Sequence, residues 1–257
     1  MPLHLVAYSS SVLNGAVFLP VTAVPDVFTN VQAGNVVIAD LPVILGAAMQ
    51  GVTAQRAQLR SPTLQQVFNP DIVPVRRSVL ATNILPNWID YTNWGIDPNF
   101  LKLKPSEQLS VYAIQGSGAG EQEYIAVLLA DAVPKGVTGS IFTVRLTGTT
   151  TLVANGWTQC PLTFEQNLQV GSYAVVGMRA KSATGVFARI GTPGFAYRPG
   201  VLAGTDDMFP DHELFRYGNL GVWFSFKNTQ VLTADFLSTA ADTAQTVELD
   251  VIFTPGS

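Results

Sequence analysis

Val247-Glu-Leu-Asp-Val-Ile-Phe253 decides the fold class. Side chains of an extended chain point alternately to opposite faces, so Val247, Leu249 and Val251 share one face and Glu248, Asp250 and Ile252 the other. The stretch is a half-buried strand with an acidic outer side. Upstream, residues 222–226 and 231–236 read the same way. Further back lie 141–146, 149–153, 162–165, 173–178 and 186–190, punctuated by turn signals such as Asn155-Gly156. Residues 109–115 and 123–129 read as two strands joined as a hairpin by Gly116-Ser-Gly-Ala-Gly120. A long loop is expected from Gly191 to Gly218. Short strands at roughly ten-residue intervals mark an all-β sandwich or barrel, and eight or nine of them match the strand count of a jelly roll.

The first part is less regular. Residues 3–8, 17–21, 36–38 and 72–75 suit strands, and 41–59 suits a short helix weakened by Gly46 and Gly51. Pro20, Pro25, Pro42, Pro62, Pro70, Pro74, Pro86 and Pro98 break the segment into short pieces. Residues 83–98, with Trp88, Tyr91 and Trp94, read as a connection between two β units. The division expected is therefore 1–104, an N-terminal β-barrel or an arm with extra strands, and 105–257, a C-terminal jelly-roll barrel. The fold expected is all-β, two jelly-roll barrels in one chain; the alternative is a single jelly roll with an elaborated N-terminal region. No internal repeat is evident.

Composition limits function. Hydrophobic residues make up 47% of the 257 and charged residues 12%, against roughly 25% charged in an ordinary soluble domain. A surface so poor in charge suits a subunit whose flanks meet neighbours. The net charge of −4 argues against a generic nucleic-acid binder. Residues 1–104 carry six basic groups against five acids, and the remainder eight against 13. The single cysteine, Cys160, excludes an intrachain disulfide. The start lacks a basic leader region, and the most apolar window, 36–49, holds Asp40 and Pro42 and is shorter than a membrane-spanning helix needs. Folding in a cytoplasm is the expectation.

Little points to catalysis. His4 and His212 are the only histidines, and no nucleophile elbow, zinc spacing or phosphate loop appears. Cys160, beside Pro161 in an apolar stretch, reads as an inert thiol. Asp206, Asp207, Asp211, His212 and Glu213 gather in one loop. Hard oxygen ligands at short spacing hold calcium, so Asp206, Asp207, Asp211 and Glu213 are candidates for a structural calcium; the alternative is a solvated acidic loop. Arg56, Arg60, Arg76 and Arg77 form the only local run of positive charge. They lack interleaved aromatics, and they either face a genome or lipid headgroups or solubilise a sheet edge.

Taken together, the strand-rich second part, the proline-punctuated first, the low charge, the one cysteine and the missing active site resemble the jelly-roll capsid proteins. The length resembles the compact double-jelly-roll coat proteins of corticoviruses and finnlakeviruses. Phe142-Thr-Val-Arg-Leu-Thr-Gly-Thr-Thr-Thr151 and Gly171-Ser-Tyr-Ala-Val-Val-Gly177 resemble phage structural proteins in texture. The resemblance implies a non-enzymatic major capsid subunit with no cofactor and no small-molecule substrate. It would self-assemble as homotrimers into the icosahedral shell of a tailless phage, in the host cytoplasm. Its partners would be its own copies, other virion proteins and an internal membrane or genome. One rival is a carbohydrate- or receptor-binding β-sandwich, with Trp157, Trp223, Tyr197 and the acidic loop lining a sugar site. Another is a cupin-type enzyme, for which two histidines are too few.

Overall fold

The computed structural model describes residues 2–11, 17–51, 54–67, 71–72, 88–91, 101–115, 122–205 and 212–256. Among these, regular structure is β apart from one helix, α1 (Pro62–Val67), a 3-10 turn at Glu213–Phe215 and 3-10 backbone at Leu101. The chain divides into two units, His4–Val133 and Pro134–Ser257, the latter with Met1–Leu3.

In the first unit, β1 (Leu3–Ser11), β10 (Gln122–Ala130), β5 (Val43–Gln50) and β8 (Trp88–Asp90) form one sheet in that order. The second sheet runs β2 (Leu19–Val21), β9 (Gln108–Gln115), β6 (Ala54–Arg60), β7 (Asp71–Ile72). A small hairpin of β3 (Val31–Gln32) and β4 (Asn35–Val37) adds to β9 beside β2.

The second unit repeats this order. One sheet runs β11 (Ile141–Gly148), β19 (Gln245–Pro255), β14 (Gly171–Lys181), β17 (Phe224–Lys227). The other runs β12 (Trp157–Pro161), β18 (Thr233–Ser238), β15 (Gly185–Gly191), β16 (Gly200–Gly204). A two-residue β13 (Thr163–Phe164) extends the first of these at β11. A parallel contact of β14 with β16 at Ala180 and Ala203 joins the sheets into a nearly closed barrel.

If the eight main strands of each unit are counted in chain order, both units read 1-8-3-6 in one sheet and 2-7-4-5 in the other. Apart from the neighbours four and five, consecutive strands cross between sheets in the Greek-key manner, which is the jelly roll. The fold is two jelly rolls in one chain, and the irregular first part is a full one.

Several local expectations are corrected. The units divide at 133/134 rather than after 104, because 108–115 and 122–130 pair with β2, β5 and β6 of the first part. Those two strands are not a hairpin: β9 and β10 lie in different sheets; their linking glycine loop lies outside the described residues. The helix expected within 41–59 is two strands. Every residue of β5 is buried, and a strand covered on both faces loses the alternation that distinguishes it from a buried helix. The connection read over 83–98 supplies β8 to the first unit, with Trp88 and Tyr91 buried; Trp94 lies outside the described residues. Residues 149–153 are irregular, and the expected long loop contains β16.

Both units break the register between strands three and eight at a glycine. On β5, Leu45 is the extra residue and Gly46 follows it; on β14, Val176 is the extra residue and Gly177 follows it. A Cβ at Gly46 would lie 2.5 Å from the Ile89 carbonyl oxygen, and one at Gly177 would lie 2.8 Å from that of Phe215. Each glycine lets a neighbouring backbone cross the bulge closely.

Candidate functional site

The acidic calcium candidates divide. Asp206, Asp207 and Asp211 lie outside the described residues. Glu213 opens the 3-10 turn, with its side chain toward solvent. His212 caps this turn: its Nδ1 accepts from the Leu214 N–H at 3.2 Å. Among the described residues no three His, Cys, Asp or Glu side chains converge as metal ligands. His4 is buried on β1, with Nε2 2.9 Å from the Thr29 hydroxyl.

The acidic face read from 247–253 is correct in direction but not in exposure. Asp250 is 1% exposed. It accepts from Arg216 Nε at 2.7 Å, Arg216 Nη2 at 3.0 Å, the Tyr217 N–H at 3.1 Å and the Thr143 hydroxyl at 2.8 Å. Burial alone would raise its pKa. The bidentate guanidinium and the two further donors outweigh burial and hold the carboxyl below the ordinary carboxylate range. In the other sheet of this unit, Arg189 Nη2 and Arg198 Nε lie 3.1 and 3.6 Å from the Asp235 carboxylate, and Arg189 also lies 3.8 Å over the Trp157 ring. Cys160 is fully buried, and burial pushes its thiol up to about 11. The thiolate a nucleophile needs is therefore scarce at neutral pH.

Among the four arginines, Arg76 and Arg77 lie outside the described residues. Arg56 and Arg60 stand on the outer face of β6, opposite the face of buried Ala57 and Leu59. The aromatics missing beside them in sequence arrive from other strands. The Arg60 guanidinium lies 4.1 Å from the Tyr112 ring on β9 and 5.4 Å from Phe18, just before β2. Arg56 lies 5.0 Å from the same Phe18 ring and 3.4 Å from Asp71. Only strand pairing brings these groups together: Arg60 sits opposite Ser110, and Pro20 opposite Tyr112. Sequence proximity carries no trace of it.

The sugar site envisaged around Trp157, Trp223 and Tyr197 does not form as an open aromatic face, because Trp223 is 2% exposed. An aromatic cleft exists elsewhere. It has a volume of about 360 Å³ and lies where β11 and β14 begin and β19 ends. Phe142, Tyr173 and Phe253 line it together with Gln166, Asn167 and Gln169. The rings continue a column: Phe164 stacks on Phe226 at 5.6 Å, Phe226 on Tyr173 at 5.3 Å, and Tyr173 contacts Phe253 at 4.9 Å. The inward positions of Tyr173 and Phe253 follow from the alternation of their strands, whereas the amide loop that shares the cleft with them gave no signal in the sequence.

No known protein family matches this sequence, and no curated protein matches it. Among solved structures, the major capsid protein P2 from bacteriophage PM2 aligns over 93% of this chain and 97% of that chain, with 11% identity and a TM-score of 0.29. The fold assignment rests on the strand orders themselves.

Proposed function

We infer that the protein is a viral coat subunit that self-assembles through the sides of its two jelly rolls. The observation that carries this reading is the repetition of one eight-strand, two-sheet order in both halves of a single chain. Two like units in one subunit add sheet surface without adding chemistry. The low charge supports the same reading: 12% charged residues leave flanks that water holds weakly. The titratable groups are also spent on structure, with Asp250, Asp235 and Glu107 each locked to donors of their own unit. In an assembled shell the outward Arg56, Arg60, Phe18 and Tyr112 would supply a contact to an anionic neighbour, either the genome or a lipid headgroup.

Size exclusion with multi-angle light scattering, followed by negative-stain microscopy, tests the coat reading. A particle of three times the 27.5 kDa chain mass is expected, with hexagonal sheets or shells at higher concentration. A stable monomer at high concentration would overturn it.

A further inference from the structure

We propose that the aromatic cleft of the second jelly roll is a binding site for a neutral saccharide, an activity beyond assembly and independent of it. The cleft is lined by Phe142, Thr143, Val144, Gln166, Asn167, Leu168, Gln169, Tyr173 and Phe253, with no Asp, Glu, Lys, Arg or His among them. A charged ligand would lose hydration there and gain no counter-charge.

The polar groups exclude a purely apolar ligand as well. Gln166 has its side-chain carbonyl committed to the Arg145 N–H at 3.0 Å, which leaves its NH₂ group to donate. The side-chain amides of Asn167 and Gln169 make no hydrogen bond to other described residues. An amide presents a donor and an acceptor side by side, and a hydroxyl both donates and accepts. Paired hydroxyls on a sugar ring therefore match this edge. For the C–H face of a pyranose the apolar contact is chiefly the Phe142 ring, since Tyr173 is 2% exposed and lies edge-on to it at 77°. Phe142 stays 42% exposed, so its ring is open to a ligand.

The site is built before any ligand arrives. The Tyr173 hydroxyl donates to the Gln169 carbonyl oxygen at 2.9 Å, tying the amide loop to the aromatic column. The loop backbone is thus fixed, and the exposed Asn167 and Gln169 side chains are what binding must still order. The volume, about 360 Å³, falls at the small end of ligand pockets and suits one or two sugar rings.

Saturation-transfer NMR on the whole protein tests this, with glucose, galactose and N-acetylglucosamine as neutral probes and N-acetylneuraminic acid as the charged comparator. Transfer to the ring C–H protons of at least one neutral sugar is expected, and none to the charged one. Phe142→Ala and Asn167→Ala should each weaken binding by about tenfold. Both side chains are exposed, so the variants should fold, and light scattering on them should match the parent; that separates loss of the site from loss of assembly. The proposal fails if no neutral sugar shows transfer, if the charged sugar binds equally, or if both variants bind like the parent. It also fails if transfer seen with free subunits vanishes in assembled particles, since the cleft would then be a seat for another copy.

Discussion

Asp250 and Glu107 are the two carboxylates whose surroundings set them apart. Both are buried, and both are held in the charged form by donors, Asp250 by Arg216, Tyr217 and Thr143. Glu107 accepts from the Lys104 N–H at 2.7 Å, the Thr63 hydroxyl at 2.9 Å and the Thr63 N–H. It thereby joins Ser61, whose hydroxyl accepts from the Leu64 N–H at 3.1 Å, in capping α1. Burial raises each pKa, but these donors prevail and lower both. A carboxyl with a lowered folded-state pKa stabilises fully above its unfolded value, about pH 4, and that contribution is lost as pH falls through the folded value. Thermal unfolding followed from neutral pH into acid should show the melting temperature falling in that window. Asp250→Asn should lower stability at neutral pH by about 3–5 kcal/mol, because it removes the carboxylate that the buried Arg216 holds in two hydrogen bonds. It should also flatten the acid limb, with Glu107→Gln flattening it further. An unchanged acid limb in Asp250→Asn would show that the pair contributes no pH dependence. Strand alternation in the sequence places Asp250 on the outer face correctly. Its burial could not be read there, because the cover, Arg216 and Tyr217, comes from a segment about thirty positions upstream.

At the scale of elements, legibility follows exposure of strand faces. β19 alternates visibly because one face is covered by the barrel interior and the other is partly open. β5 and β16 are covered throughout, so their sequences are uniform runs: one resembles a helix and the other disappears into a loop. The shared bulge was hidden for another reason. Ile44-Leu45-Gly46 and Val175-Val176-Gly177 match only when both strands are known to hold the third place in equivalent sheets. The match predicts equivalent sensitivity. A Cβ at Gly46 meets the Ile89 carbonyl oxygen and the Trp88 indole at 2.5 Å, and one at Gly177 meets the Phe215 carbonyl oxygen at 2.8 Å and the Arg216 Cα at 3.1 Å. Backbone atoms cannot step aside as side chains do. Gly46→Ala and Gly177→Ala should therefore each cost about 1–3 kcal/mol, more than alanine at an ordinary strand glycine. Denaturant titration measures both. Gly46→Ala should also shift tryptophan emission to the red as Trp88 is displaced. Alanine at Gly156, where a Cβ meets nothing within 4 Å, is the control and should leave stability nearly unchanged.

For the molecule as a whole, composition and strand spacing reveal the all-β class, while the second jelly roll emerges only from pairing. Apart from the fourth and fifth of each unit, main strands that follow one another in sequence lie in different sheets, and no local pattern records which distant strand is the partner. The same global view sets the character of self-association. If copies meet through weakly charged flanks, the driving force is removal of apolar surface from water, with exposed Val153, Val170 and Val231 among the groups available in the second unit. Contacts of the Arg56 and Arg60 kind would instead be coulombic. Salt separates the two cases. At about 1 M the screening length shrinks to about 3 Å, so pairings between exposed charges fade, whereas apolar contacts persist and strengthen in sulfate. Light scattering across a sodium chloride series and an ammonium sulfate series should therefore show subunit association retained in the first and increased in the second. Dissociation in molar sodium chloride would place the cohesion of the assembly in its few charges, against the composition. Arg56→Gln and Arg60→Gln should leave this association unchanged, because Phe18 and Tyr112 remain in place, and should alter only the salt-sensitive attachment to an anionic neighbour, read as retention on a heparin column.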